Sequence, residues 1–534
     1  MGKIGQWLGN KFFKIGDTVE REVNKRLEKI YKVNILGTEI QKNTLFNYRQ
    51  QEYKSWSLDS ANKLLEFYNT QLNPSPYNTE RLLFWSWVKD VNVPKLHYSA
   101  PQRVINQMKS LLFSSELDIH VLCKNKEKSK EQDSKLHKIL ADINLYELLQ
   151  QSVNYETYSG TLSWKPTMDT DLSDSPIVEC YPAEQIMFRA KRKKAQEIIY
   201  IDEYKKEKDK IFYLKSIYGK GYIKYELWDK DFKKLYPLNT IEELKGLKNI
   251  AIVDKNNKPI KILLSTYKKN REVNSEFPDS LYGGSDFQGV TDSFHLIDEL
   301  YSQKMLVTRR SRPITRMSEA LVPYDPNTGK SILPKEYEND LLLTKKDSDL
   351  QEKGMIDRDV PTLAVAEYDK AIEEEMKNIF ATIGMAYTTV GLETHSANIS
   401  GIALETKEKM TVIIRNNKIR LWKAFLKESL RLLMIFNDLK TAKFVDDGQT
   451  ITYMIEDEYD YTYQVEFPNY HDQSLDEKVD SVSKMMDAGL MDRKTAFDRV
   501  FGSEYTEEER DQIILNAKME NNIPLLENDV NKDE

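Results

Sequence analysis

The residues closest to a nucleotide-binding motif are 325–331, which end like a phosphate-binding loop in Gly-Lys-Ser. Such a loop also needs a glycine five residues before Gly329, because its backbone must approach the phosphates closely. Tyr324 stands at that position. The preceding Asp-Pro-Asn-Thr-Gly is typical of a tight turn. We therefore interpret the stretch as a turn and not as a nucleotide site.

The residue types that bind transition metals do not recur at metal-binding spacings. There is no His-x-x-x-His pair and no cysteine–histidine pair at the spacings of a zinc site. The six histidines are His97, His120, His137, His295, His395 and His471. We expect His295, at the border of the apolar face of a helix, to serve packing. The sequence predicts no metal site.

A cluster of acids is the remaining candidate for two-metal chemistry. It consists of Glu456, Asp457, Glu458 and Asp460. Because the cluster adjoins a regular strand, we interpret it as a solvated rim. The sequence also contains no Gly-x-Ser-x-Gly nucleophile motif and no set of kinase motifs. We predict no catalytic residue and no cofactor, and keep a nucleotide- or metal-dependent enzyme of unknown class as the alternative hypothesis.

Two basic clusters could contact phosphate. The first, within 189–194, is of a kind that usually forms a solvated face. The second consists of Lys304, Arg309, Arg310, Arg312 and Arg316, with no acid before Glu319. Two roles stay open for the second cluster. It could form ion pairs with acids of 347–359 or of a neighbouring subunit, or it could contact nucleic-acid phosphates.

Composition and charge exclude several classes of protein. The 534 residues include 78 Lys and Arg against 85 Asp and Glu, which gives a net charge of −7. The longest apolar run, 432–436, is far shorter than the roughly 20 residues that a membrane span needs. The only cysteines, Cys123 and Cys180, rule out a disulfide framework and are expected to be buried, unreactive thiols in a reducing compartment.

Helical patterns precede strands in the first half of the chain, without βαβ alternation, so the predicted fold class is α+β and mainly helical. Residues 100–113 carry apolar side chains at helical spacing, and 177–264 are rich in β-branched and aromatic residues. Two later helices have narrow apolar stripes, formed by Phe294, Ile297, Tyr301 and Met305 and by Tyr368, Ile372, Met376, Ile379 and Ile383. We expect these helices to form an antiparallel hairpin. A pair with such narrow stripes buries too little alone, so it should pack against copies of itself.

Several short motifs, in order along the chain, resemble the portal proteins of tailed double-stranded DNA bacteriophages. Residues 100–113 are similar to an early wing helix that ends in Ser-Leu-Leu-Phe. Residues 270–290, with Tyr-Gly-Gly-Ser-Asp at 282–286, are similar to the lead into the first stem helix. Ser-Gly-Ile-Ala-Leu at 400–404 resembles the start of the long helix after the tunnel loop, and 475–509 resemble the helical crown. Residues 1–80 and 311–362 match no pattern of the family.

The resemblance implies a portal-type fold with a defined order of parts. These are the wing (1–289), the first stem helix (290–310), the clip (311–362), the second stem helix (363–386), the tunnel loop (387–400), the long helix with the C-terminal part of the wing (401–470), and the crown (471–534).

The same resemblance implies a homo-oligomeric ring, usually a dodecamer, at one vertex of a capsid. Double-stranded DNA would pass non-specifically through its channel during packaging and ejection. The implied partners are the terminase large subunit, the major capsid and scaffold proteins, and head-completion or tail adaptor proteins, with no membrane. The protein would be made in the host cytoplasm and reside in the virion. The acidic charge of each chain suits such a conduit, because repulsion from all sides lets DNA slide.

The tunnel loop is implied to face the DNA. Its polar residues are Thr388, Thr389, Glu393, Thr394, His395, Ser396 and Asn398. The segment 388–399 contains neither Lys nor Arg. Neutral hydroxyl groups could hydrogen-bond passing phosphates weakly, without binding strong enough to stall the DNA.

Overall fold

The computed structural model describes most of the chain. The described residues are 44–69, 84–86, 94–123, 126–169, 172–206, 210–230, 232–278, 280–311, 314–318, 325–328, 341–344, 356–359, 365–387, 401–455, 459, 461–468, 479, 482–486, 489, 493–501 and 507–520. The helices are α1 (Thr44–Ser57), α2 (Ala61–Asn69), α3 (Ala100–Leu112), α4 (Lys126–Asp142), α5 (Leu145–Ser159), α6 (Thr291–Arg310), α7 (Val365–Ile383), α8 (Gly401–Asp438), α9 (Arg493–Phe501) and α10 (Glu507–Glu520).

The strands fall into four sheets within the described residues. They are β1 (Asp118–Leu122), β2 (Thr161–Thr167), β3 (Ile177–Pro182), β4 (Ile186–Lys191), β5 (Lys194–Lys206), β6 (Lys210–Tyr218), β7 (Tyr222–Asp229), β8 (Leu235–Tyr236), β9 (Asn249–Val253), β10 (Thr266–Lys269), β11 (Ile314–Ser318), β12 (Leu341–Thr344), β13 (Ile356–Asp359), β14 (Lys443–Asp446), β15 (Thr450–Met454) and β16 (Thr462–Glu466). The largest sheet has the order β14-β15-β9-β7-β6-β5-β4, with β8 on β7. The smaller sheets are β10-β2-β3, β12-β11-β13 and β1-β16.

Helix α3 shows how local sequence sets an element. Pro101 lies in its first turn, where a missing N–H costs nothing. Val104, Met108 and Leu111 follow at spacings of four and three, and all are buried. The helix predicted over 100–113 is therefore confirmed.

The core of the larger unit forms where α8 crosses β2 and the end of α3. The rings of Trp422 and Phe425 on α8 contact Phe113 and Trp164, with centroids 5.1 and 5.0 Å apart, respectively. The Trp164 indole N–H donates to Ser152 Oγ at 2.8 Å, so its polar atom is satisfied inside the core. The long helix α8 thus packs directly on elements from the first third of the chain.

The chain divides into two compact units, Met1–Pro468 and Asn469–Glu534. The first contains α1–α8 and β1–β16. The second contains α9 and α10, which are joined by an ion pair between Lys494 and Asp511 at 2.8 Å. The separate helices and mostly antiparallel sheets confirm the α+β class. Among the described residues, no helix has the length and apolar character to cross a membrane.

The two cysteines differ from expectation in their burial. Cys123 and Cys180 are free thiols, as predicted, but both are half-buried residues and not fully buried ones. Burial of its thiol nevertheless raises the pKa of Cys180 to about 12. Such a thiol carries little thiolate at neutral pH and is therefore unreactive.

Candidate functional site

The Gly-Gly-Ser-Asp segment before α6 docks against the C-terminal end of α5. Helix α5 is followed by Gly160, whose φ of +75° suits a glycine. A Cβ at Gly160 would lie 2.6 Å from backbone atoms of Gly283, Gly284 and Ser285. The Ser285 hydroxyl donates to the carbonyl of Thr157 at 3.1 Å. The glycines are therefore explained by a close backbone contact and not by ligand binding.

A buried charge network extends from this contact to α8. Lys418 Nζ lies 2.8 Å from Asp286 Oδ2, and both side chains are almost fully buried. Lys268 Nζ lies 2.5 Å from Glu156 Oε1, and Lys418 lies 3.8 Å from the same oxygen. Arg271 reaches Asp286 Oδ1 at 3.3 Å from a partly exposed position. The network joins α5, β10, the segment before α6, and α8.

The pKa shifts of Asp286 and Lys268 indicate how burial and neighbouring charges act on the network. Burial alone would raise the pKa of Asp286, but the charges of Lys418 and Arg271 outweigh it and lower the pKa. Burial lowers the pKa of Lys268 to about 8, against the opposing charge of Glu156. The carboxylate of Asp286 is therefore ionised at neutral pH. Because these groups face one another and not an open cleft, the network is suited to holding elements together and not to catalysis.

The first half of α6 is anchored through a second buried acid, Asp298. Its carboxylate accepts from the Trp85 indole N–H at 2.9 Å and from the Tyr98 backbone N–H at 2.8 Å. His97 Nδ1 lies 2.8 Å from the same carboxylate. On the neighbouring face, the ring of His295 packs between Trp56 and Tyr68, at 5.0 and 4.8 Å. This confirms the expectation that His295 serves packing.

Helices α6 and α7 pack on each other, as the predicted hairpin requires. Their stripe residues Phe294, Ile297, Ile372, Met376, Ile379 and Ile383 are all buried. We expected a single chain to leave these stripes partly exposed for contact with copies of itself. For these six residues that expectation is wrong, because the chain covers them itself. Tyr301, Met305 and Tyr368, nearer the other end of the hairpin, are half-buried.

The structure describes the side chains of two members of the second basic cluster, Lys304 and Arg309. Lys304 Nζ forms an ion pair with Asp369 on α7, whereas Arg309 is exposed in the last turn of α6. The register of β11 and β13 places Arg316 opposite Asp357. Arg312 and the side chains of Arg310 and Arg316 lie outside the described residues. A role in phosphate contact or in pairing stays a prediction for this cluster.

The first basic cluster forms an exposed hairpin tip. Residues 191–194 are exposed, and Arg189 pairs with Glu197 at 2.6 Å. Arg192 and Lys193 make the turn between β4 and β5 with φ values of 51° and 57°. A two-residue hairpin turn requires positive φ at both central positions. The interpretation as a solvated face is confirmed.

The predicted tunnel-loop residues 388–399 lie outside the described residues, so their position stays a prediction. These include Thr388, Thr389, Glu393, Thr394, His395, Ser396 and Asn398. The flanks of the segment are described: α7 ends at Ile383 and α8 begins at Gly401. The Ala386 backbone N–H donates to Thr411 Oγ1 at 2.8 Å, which ties the end of α7 to α8.

The stretch that ends like a phosphate-binding loop folds as the predicted turn. The Asp325 carboxylate accepts from the Asn327 backbone N–H at 2.9 Å and from the Thr328 hydroxyl at 2.7 Å. This is the local capping that Asp provides in turns. Tyr324, Lys330 and the acids Glu456, Asp457, Glu458 and Asp460 lie outside the described residues.

The structure brings together one cluster that the sequence patterns missed. His120 on β1 meets Asp133 and His137 on α4, with ligand-type atoms within 4.8 Å of one another. Asp133 and His137 form an Asp-x-x-x-His pair, which places both on one helical face. That spacing was the available signal, but its third member comes from a strand and has no fixed spacing to the helix.

Comparisons with known proteins give low similarities. No protein-family model matches the chain, and no curated protein matches it. Two solved assemblies are similar over much of the length. For the neck of an empty gene transfer agent particle, computed with C6 symmetry, the identity is 9%, the match covers 75% of this chain and 89% of that chain, and the TM-score is 0.38. For the virion of a native gene transfer agent particle, the identity is 9%, the match covers 78% of this chain and 89% of that chain, and the TM-score is 0.35. TM-scores this low assign neither a fold nor a function to this chain.

Proposed function

We propose that this protein is a phage portal subunit, which forms a closed ring whose axis is a channel for double-stranded DNA. The observation that supports this best is the order of elements from α6 to α8. A helix, a small separate sheet (β12-β11-β13), a returning helix, the segment 388–400 and a 38-residue helix follow one another. This is the order of stem, clip, stem, tunnel loop and long helix in the family that the sequence motifs resemble.

The buried network suits the mechanical demand of such a channel. DNA moving through a ring loads the helices that line it, so their base must be held against the rest of the subunit. Lys418 and Asp286 join α8 directly to the segment that leads into α6. Asp298 ties the first half of α6 to Trp85, His97 and Tyr98. The proposed stem is thus fixed at one end on two sides.

The partners follow from the proposed role. The ring would occupy one capsid vertex of the virion, where the clip would dock the terminase large subunit during packaging and head-completion or tail adaptor proteins afterwards. Capsid and scaffold proteins would contact the wing. Arg309 is exposed at the clip end of α6 and is available for DNA phosphate or for a neighbouring subunit.

We place a contact between copies on the N-terminal half of α8. Met410 and Ile413 lie about one turn apart and are 61% and 50% exposed, respectively. Large apolar side chains exposed together on a single chain are typical of association surfaces. A ring requires such a surface to meet a different surface of the next copy.

Purified protein is expected to show annular end views with a central channel in negative-stain images. The double variant Met410→Glu, Ile413→Glu should give monomers instead, because the added charges would be buried between copies. The matched control is Lys427→Glu, which changes the net charge by the same two units at an exposed position about 20 Å further along the same helix. Native mass spectrometry gives the subunit number of each.

The possible results test the proposed subunit contact on α8 separately from the proposed portal function. Intact rings from the Met410→Glu, Ile413→Glu variant would move the subunit contact elsewhere and leave the portal proposal standing. A wild-type protein that stays monomeric both alone and when co-expressed with its capsid and scaffold proteins would overturn the proposal.

A further inference from the structure

Three side chains with metal-ligating atoms converge where β1 meets α4. His120 Nδ1 lies 3.2 Å from Asp133 Oδ2, and His137 Nε2 lies 3.7 Å from the same oxygen. In a tetrahedral zinc site with bonds of about 2.0–2.2 Å, neighbouring ligand atoms are about 3.3 Å apart. The observed distances from Asp133 Oδ2 to the two histidine nitrogens, 3.2 and 3.7 Å, are close to this value. The two histidines are partly exposed, so small rotations can bring their nitrogens together.

The remaining atoms of two of these ligands are already held in place. Asp133 Oδ1 accepts from the Val121 backbone N–H at 2.8 Å, which leaves Oδ2 directed at the histidines. His120 Nε2 lies 2.9 Å from Asp118 Oδ1, which leaves its Nδ1 for the site. In zinc sites, a histidine ligand usually donates the N–H of its other ring nitrogen, the one that does not bind the metal, to a carboxylate or a similar acceptor.

The charges around His120 also favour a cation. A neutral imidazole has a single N–H, so it can donate to Asp118 or to Asp133 but not to both. With the proton on Nε2, the lone pair of Nδ1 faces the Asp133 carboxylate at 3.2 Å. A metal ion bound by both atoms would take the place of the second proton with which a charged imidazole donates to both carboxylates.

We propose that His120, Asp133 and His137 bind one Zn²⁺ ion, with water completing the coordination. The set of imidazole and carboxylate ligands suits Zn²⁺ and does not suit Mg²⁺. The ion would fasten β1 to α4, and because β1 pairs with β16 it would also secure the strand Thr462–Glu466. This proposal is independent of the portal function.

The test uses the full chain, freed of metal with a chelator, and titrated with ZnCl₂ alone in a calorimeter. We expect one ion per chain, and a visible absorption spectrum of tetrahedral type when Co²⁺ replaces Zn²⁺. His137→Gln removes a ligand from an exposed position and should abolish this binding without unfolding the protein. Asp118→Asn keeps all three ligands but removes the outer carboxylate, and should weaken binding by about 10–100-fold.

The matched control is Lys138→Gln, which changes an exposed residue of the same helix next to His137. It should bind Zn²⁺ as the wild type does. Zn²⁺ should also raise the melting temperature of the wild type and of Lys138→Gln, but not that of His137→Gln. Unchanged Zn²⁺ affinity in both His137→Gln and His120→Gln would overturn the proposal, as would binding of Mg²⁺ with the same affinity as Zn²⁺.

Discussion

Replacing Lys418 with methionine is expected to lower the free energy of unfolding by about 3–5 kcal/mol, the usual effect of removing one partner of a buried ion pair. Lys418 Nζ lies 2.8 Å from Asp286, whose side chain is only 1% exposed. Without the lysine, the ionic partner that Asp286 keeps among the described residues is the partly exposed Arg271 at 3.3 Å. Urea unfolding measures the loss, and using one fixed protein concentration keeps the contribution of assembly the same for each variant.

Arg420 provides a matched control on the same helix. It pairs with Glu272 at 2.7 Å, but both side chains are largely exposed. Arg420→Met should therefore lower the free energy of unfolding by at most about 1 kcal/mol. If Lys418→Met has no larger effect than Arg420→Met, the buried network does not hold α8 to the base of α6.

A double variant identifies the cause of the loss. When Asp286→Asn is added to Lys418→Met, the unpaired buried charge is removed and part of the stability should return. If the two substitutions instead add, the loss at Lys418 comes from packing of its side chain and not from charge.

The elements that the sequence predicted well are those whose signal is local. The long helix expected to start at 400–404 is α8, which spans Gly401–Asp438, and its buried residues recur every three or four positions. The hairpin of α6 and α7 was predicted for the same reason. Local periodicity does not show whether the apolar stripe of a helix is covered by the same chain or by another copy. Ile372 and Met376 were therefore assigned to contact with other copies, although the same chain buries them.

The strand pairings that the sequence did not predict join residues far apart along the chain. Strand β15 pairs in parallel with β9, with Thr450 opposite Asn249, and β1 pairs with β16, with His120 opposite Gln464. Pairing between strands so far apart along the chain is set by tertiary packing, so no short-range sequence pattern indicates it. The same reason explains the missed cluster of His120, Asp133 and His137, in which the helical pair is visible but its strand partner is not.

Placing arginine in the segment between α7 and α8 is expected to arrest DNA packaging. The segment 388–399 contains neither Lys nor Arg, and we propose that it faces the DNA. Thr394→Arg with Ser396→Arg adds two positive charges per chain, and the proposed ring would multiply them by its number of subunits. Each new phosphate contact releases counterions and strengthens binding, so DNA that should slide is held instead. Packaging into procapsids, measured as protected DNA per particle over time, should fall sharply at low salt and recover partly as salt is raised.

The neutral variant Thr394→Gln with Ser396→Gln is the control, because it lengthens both side chains without adding charge. It should package close to the wild-type rate, since an amide forms only weak, quickly exchanged hydrogen bonds to phosphate. Ring assembly and procapsid yield should be the same for all three proteins, because neither pair of substitutions lies in α8 or replaces a residue of the buried charge network. If the arginine variant packages DNA at the normal rate and yield, the segment does not face the DNA. If both variants fail equally, the segment acts through its shape, because bulk alone would then block the channel without any attraction to phosphate.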